Sequence, residues 1–283
     1  MSRIADIRRT VEDFRTAGLI TGALQEISAI KMQELRADFE RNARFFSGIR
    51  DVYAIVKSHA PAAALPQMAQ KPKGRDIYIG LTSNKRFNGT LNRDIVRALV
   101  AMIGGAQNSD FLMIGLTGAQ YLEETEAPGA VQRTAFDDDI PNADELQNVL
   151  ALIRGYERVF VVYPKFINPF RQDIVMTDIT QTPGDVATAE MKADYIFEPE
   201  IPGMLAFFES QVRLALFERI MLETELARAA SRTMKMRNSK DRADDRRRVY
   251  ERALGREFGT LADIELMETF IGFNFWKSTH QNV

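Results

Sequence analysis

The sequence predicts a mixed α/β fold in which two long helices flank a compact α/β domain. Three observations carry this. All ten prolines fall between Pro61 and Pro202. Both proline-free ends repeat apolar residues three and four apart, and the middle alternates strand-like and helix-like segments. Proline removes a backbone donor and clashes with the preceding turn, so its absence from residues 1–60 and 203–283 permits helices of unusual length.

The first element spans about Ser2 to Ser58. Ile4, Ile7, Val11 and Phe14 alternate three and four apart, as a coiled-coil seam does. The pattern resumes at Leu24 and Ile27, then at Met32, Leu35 and Phe39, and again at Ile49, Val52 and Val56. Gly18 and Gly22 interrupt it, which reads as a stutter or as a close approach of another backbone. Such a helix is roughly 80 Å long at 1.5 Å per residue, more than a globular domain needs.

In the middle, residues 75–83 form a buried strand candidate and 91–103 an amphipathic helix. A second strand at 111–116 precedes a short helix at 118–124. A helix at 143–156 leads to strands at 158–166 and 173–179, and residues 65–74 read as the linker into the domain. This βαβαβ rhythm implies an open sheet with right-handed crossovers. The last element runs from about Met204 to Phe270, with apolar positions Leu205, Phe208, Val212, Leu222 and Leu226. They return at Val249, Ala253, Leu261, Ile264 and Phe270. Between them, residues 237–248 contain Ala243 as their lone apolar residue, so this stretch is not expected to form a buried seam. It reads either as a solvated helix face or as a basic contact surface for an acidic partner. The boundaries are therefore 1–60 for the first helix, 75–200 for the α/β domain and 203–275 for the second helix.

With 45% apolar residues, 283 positions bury a substantial core. A net charge of -2 gives no global argument for nucleic acid or for direct insertion at an anionic membrane. Cysteine is absent, which removes disulfides and thiolate metal sites, and His59 and His280 alone do not furnish a histidine metal cluster. No stretch approaches 18 apolar residues, and the N-terminus lacks the apolar core of a secretory signal, so any membrane association is expected to run through partners.

The candidate chemistry is sparse. A dinucleotide fingerprint needs G-x-G-x-x-G after the first strand, so that backbone approaches a pyrophosphate. The corresponding segment, TSNKRFNGTLN, holds a single glycine, Gly89, and no P-loop pattern occurs. Asp137, Asp138 and Asp139 are candidates for a divalent cation, yet lack EF-hand spacing and fit a solvated loop leading to a helix capped by Asn142 or Asp144. The segment 115–119 has no histidine nearby to act as a base for a nucleophile. Neither a catalytic residue, a cofactor nor a metal site is expected.

Several segments resemble one family in the right order along nearly the whole chain. Ile7-Arg8, Ile20-Thr21-Gly22-Ala23-Leu24, Ile27, Ala29, Lys31 and Met32 follow its opening-helix pattern. Thr82 to Asn92 resembles its "S-x-D-R-G-L-C-G-x-L-N", keeping Gly89, Leu91 and Asn92 and replacing the usual Asp, Gly and Cys. Lys165-Phe166-Ile167-Asn168 matches "K-F-x-N", Tyr195 to Pro199 matches "Y-x-x-E-P", and Glu209-Ser210-Gln211-Val212 matches the start of its last helix. Arg228, Ala230, Met234 and Asn238, then Tyr250, Arg256 and Glu265 to Glu268, hold two later frames. The family is the gamma subunit of F-type rotary ATP synthases, and this sequence resembles a divergent member.

The resemblance implies an antiparallel coiled coil of the two terminal helices with an inserted Rossmann-like α/β domain. It implies a non-catalytic rotor that transmits torque between an ion-driven membrane ring and a hexamer of alpha and beta subunits. An epsilon- or delta-type stalk subunit would sit beside it, on the cytoplasmic, matrix or stromal face of an energy-coupling membrane. Partner contacts are expected at Ile20, Ala23 and Lys31 on the first helix, and at Met234, Asn238, Tyr250, Arg256, Glu265 and Glu268 on the second. Arg246, Arg247 and Arg248 would meet acidic loops of a beta subunit. Phe273, Phe275 and Trp276 read as an apolar bearing collar or as scattered aromatics of a frayed terminus. Two other readings remain on the residues alone: a coiled-coil adaptor with a protein-binding insert, and a small-molecule enzyme on the α/β core.

Overall fold

The computed structural model describes residues 2–60, 74–85, 87–103, 109–125, 131–137, 140–153, 155–180, 198 and 200–280. The expected linker up to residue 73, Asp138, Asp139 and most of the Tyr195–Pro199 motif lie outside them. The order is α1 (Ser2–Ser58), β1 (Asp76–Leu81), α2 (Leu91–Ile103), β2 (Ser109–Ile114), α3 (Leu116–Glu124), β3 (Val131–Thr134), α4 (Ala143–Ile153), β4 (Val159–Asn168), β5 (Arg171–Asp178) and α5 (Ile201–His280). The fold is mixed α/β, as expected. Two compact units cut across the long helices: residues up to Ile27 with those from Met236 onward, and Ser28–Lys235.

The larger unit is built on a five-stranded sheet in the order β3-β2-β1-β4-β5. β1, β2, β3 and β4 pair parallel, and β5 turns back antiparallel on β4. Side chains alternate across a strand. Ile77, Ile79 and Leu81 of β1 therefore pack on one face with Leu146, Val149 and Ile153 of α4, Phe46, Tyr53 and Val56 of α1, and Leu205, Phe217 and Ile220 of α5. The opposite face holds Ile95, Val96 and Leu99 of α2 against Phe111, Met113 and Val162. The expectation omitted β3, whose four residues (VQRT) carry one apolar side chain and no readable alternation. It also ran the second strand two residues past Ile114, where α3 begins. At the start of α4, Asn142 and Glu145 form a reciprocal capping box: Glu145 N–H donates to Asn142 Oδ1 at 2.9 Å, and Asn142 N–H to Glu145 Oε2 at 2.8 Å. Within this unit α1 and α5 also meet directly, with Leu35 packed on Leu226 and Ala229, and Arg219 over the rings of Phe39 and Phe46.

In the smaller unit the two helices pair antiparallel. Arg3 meets Glu257 at 3.1 Å, and Phe14 stacks on Tyr250 with centroids 5.7 Å apart. A Cβ built on Gly18 would lie 3.9 Å from that of Ala243, and one on Gly22 would lie 3.6 Å from the Lys240 stem. The charged stretch is thus a seam after all. Its buried Ala243 meets a glycine, so small residues on both helices let the backbones approach without large apolar side chains.

The same contact corrects the seam on α1. Leu24 and Ile27 do not face α5: Ile27 is 62% exposed and Leu24 37%. Gly18 and Ser28 are buried instead. Further along, Val52 is exposed while Val56 is buried, and on α5 Val249, Leu261, Ile264 and Phe270 are exposed. Arg8 lies over the Phe258 ring, and beyond it α5 continues past the beginning of α1. The expected pairing out to Ile271 therefore stops near Phe258.

Candidate functional site

Three surfaces stand out. The first is the tip of α5. Every described side chain from Gly259 to Trp276 is exposed. Leu261, Ile264, Leu266, Met267, Phe270, Ile271, Phe273, Phe275 and Trp276 are among them. With about 100° between successive residues, they point all round the axis rather than along one stripe. Helices with large apolar side chains on every side are ordinarily buried. The Phe273 and Trp276 rings stack 6.4 Å apart on α5, which continues to His280. Glu265 and Glu268 share the overhang and are exposed, and Arg256 is exposed just before it.

The second surface is the outer face of α1, where Leu19, Ile20, Leu24 and Ile27 are exposed on the side away from the Gly18 seam. Ile20 and Ala23 lie within this stripe, and sequence reasoning missed Leu19, Leu24 and Ile27 by assigning the last two to the seam. On the facing helix Arg246 and Arg248 are exposed. Arg247 is half-buried between Glu251 at 2.8 Å and Asp244 at 3.7 Å, and Arg248 lies 3.9 Å from Asp245. Asn238 is exposed, whereas Tyr250 is taken up by Phe14 within the coil. In the larger unit, Lys31 and Met234 are half-buried on α1 and α5.

The third is the carboxyl edge of the sheet, where doubly wound folds place ligands at the reversal between β1 and β4. Here that edge is knitted by side chains of the Thr82–Asn92 segment. Thr82 Oγ1 donates to Ile114 O at 2.7 Å and accepts from Gly118 N–H at 3.1 Å. Cβ atoms at Gly115 or Gly118 would come within 2.3 Å and 2.1 Å of Thr82, so both glycines serve this close approach. Asn84 bridges loops, donating to Phe136 O at 2.5 Å and accepting from Leu116 N–H at 2.9 Å. Asn88 ties the segment to α5: Ser231 Oγ donates to its carbonyl at 3.0 Å, and Arg232 Nη2 to its Oδ1 at 2.9 Å. The turn uses Phe87 and Gly89 at φ of 70° and 63°. These side chains occupy the space that a phosphate loop leaves open. Sequence reasoning saw Gly89 as a remnant and missed Asn84 and Asn88, whose partners are distant in the chain.

α5 brings unusual polarity to this edge. Glu223, Thr224, Glu225 and Arg228 are all buried, and Arg228 pairs with Glu225. Tyr163 Oη donates to Glu223 Oε2 at 3.3 Å. Burial raises the Glu223 pKa above the ordinary carboxylate value, against the opposing pull of Lys165 and Tyr163. Burial likewise pushes the Tyr163 phenol up to about 12, and burial alone raises Glu218.

The sequence profile of the ATP synthase family matches residues 3–257. A gamma chain of ATP synthase from Psychrobacter arcticus is 26% identical over 268 residues, covering 87% of this chain and 89% of the relative. One from Limosilactobacillus reuteri is 20% identical over 279 residues, covering 86% and 88%. The fold is similar to a chain of the Euglena gracilis mitochondrial ATP synthase OSCP/F1/c-ring assembly, with a TM-score of 0.65, 13% identity, and coverage of 100% and 97%. It is also similar to a chain of the Tetrahymena thermophila mitochondrial ATP synthase central stalk and c-ring, with a TM-score of 0.56, 18% identity, and coverage of 77% and 98%.

Proposed function

The chain belongs to the ATP synthase family of gamma chains, and from that premise we propose that it is a central-stalk rotor carrying torque between a membrane ring and an alpha/beta hexamer. The α5 tip carries this reading. Nine large apolar side chains exposed all round one helix suit a sleeve that encloses the helix and lets it turn. Each side chain that the sleeve buries contributes about 1.5–3 kcal/mol. The outer α1 stripe and the exposed arginines Arg246 and Arg248 add an asymmetric surface. As the shaft turns, each catalytic subunit meets a different side of it, and differential contact shifts that subunit's open and closed states.

The rotor itself makes no bond. The carboxyl edge of its sheet is filled by Thr82, Asn84 and Asn88, which leaves little room for a ligand at that edge. The α/β domain, expected at 75–200, serves as the foot that meets a stalk subunit and the ring. No helix among the described residues is long and apolar enough to cross a membrane. In the rotor reading the attachment is peripheral, through the partner subunits, on the cytoplasmic, matrix or stromal face. Reconstitution with alpha and beta subunits of the same source tests the proposal. One copy of this chain per hexamer and ATP-driven rotation of a bead fixed to the α/β domain are expected. Failure of the hexamer to retain the chain would return it to the adaptor reading.

A further inference from the structure

The buried Arg228 side chain is half satisfied. Its Nη1 donates to Glu225, one turn away on α5. Its Nε and Nη2, the two N–H groups that form the fork edge of a guanidinium, are buried without an acceptor among the described residues. The side chain is 2% exposed. Arg228 also lines a small cavity at the carboxyl ends of β1 and β2, together with Thr82, Ser83, Asn84, Gly115 and Met221. Buried guanidinium donors are rarely left unpaired, because losing water without gaining an acceptor is costly.

We propose that this cavity is a binding site for a single water-sized hydrogen-bond acceptor, either a water molecule or a halide ion, held by the fork edge of Arg228. Size sets the class. The cavity has about 10 Å³ of room, enough for about one water and too little for a phosphate or carboxylate. Charge admits both occupants: Glu225 already balances Arg228, so a neutral acceptor suffices, while the unused donors also suit a monovalent anion. The occupant bridges α5 to the β1 and β2 loops, a join that the Arg228–Glu225 pair cannot make because both residues lie on one helix. Thr224 Oγ1, one turn before Arg228, is another buried atom without a partner among the described residues, so this face of α5 has polar capacity that those residues leave unfilled. The site does not depend on the rotor reading and is tested without it.

The test is a crystal structure of the full chain grown with sodium bromide in place of chloride, at a resolution that shows ordered water. A compact peak within hydrogen-bonding distance of Nε and Nη2 is expected. Anomalous signal at that peak identifies a halide, and its absence identifies water. The same crystals of Arg228→Met should lose the peak. An empty cavity in the unaltered chain, or a peak that persists in Arg228→Met, overturns the proposal.

Discussion

Replacing Glu225 by Gln should destabilise the larger unit far more than any exposed ion pair could. The Glu225 and Arg228 side chains are 3% and 2% exposed. Removing the carboxylate leaves the guanidinium buried and without its counter-ion. Breaking a buried pair in this way costs about 3–5 kcal/mol, whereas an exposed pair is worth about 0–1 kcal/mol. For a unit of this size, each kcal/mol lowers the melting temperature by about 2–4 °C. The expected drop is therefore roughly 6–20 °C. The double change Glu225→Gln with Arg228→Met removes both charges and fills similar volume, so it should recover most of the loss. Calorimetric melting of the wild type, both single variants and the double variant gives the cycle. Additive effects, with each single change below about 1 kcal/mol, would show that the pair is effectively solvated and the burial argument wrong.

Other consequences are as specific. Gly18→Cys with Ala243→Cys should form a disulfide under mild oxidation, since the Cβ positions lie 3.9 Å apart; free thiols on non-reducing gels would exclude this register. Changing Phe273, Phe275 and Trp276 together to Ser should shift the isolated chain's stability by no more than about 0.5 kcal/mol per residue, because all three are exposed. In the reconstituted hexamer the same variant should lose retention or torque, and unchanged rotation would remove the tip from the proposed bearing. Neutralising Arg246, Arg247 and Arg248 should leave folding nearly intact while altering coupled turnover, and the effect should fade in high salt; wild-type coupling would make the stretch a solvated face. Burial raises the pKa values of Glu218 and Glu223, so their protonated forms fold better. Their contribution is complete below the unfolded value near 4.5 and is lost as pH rises through the higher folded values. The pair Glu218→Gln and Glu223→Gln should therefore flatten the fall in stability above that pH, and an unchanged stability profile would contradict it.

Much of the architecture is legible in the sequence because its causes are local. Proline exclusion and three-four spacing set α1 at Ser2–Ser58, and the amphipathic pattern of LNRDIVRALVAMI sets α2 at Leu91–Ile103. Of the two candidate caps read from the sequence, Asn142 and Asp144, Asn142 caps α4. Less of the candidate surfaces is legible. Apolar spacing at Leu24 and Ile27 marks a helical face correctly, but spacing alone does not say whether that face meets α5 or a partner. The charged run around Ala243 looks unfit for a seam until a glycine is found opposite it. Asn84, Asn88 and Arg228 carry no local signature, because each is defined by a partner on another element.

The sequence by itself determined the two long helices, every strand but β3 and the family, since these follow from periodicity and from residues retained in order. Only the tertiary structure decided the register of α1 on α5. Register depends on which backbones can approach closely, and Gly18 against Ala243 settles that between segments far apart in the chain. That register ends the pairing near Phe258 and leaves the large apolar side chains of the α5 tip exposed.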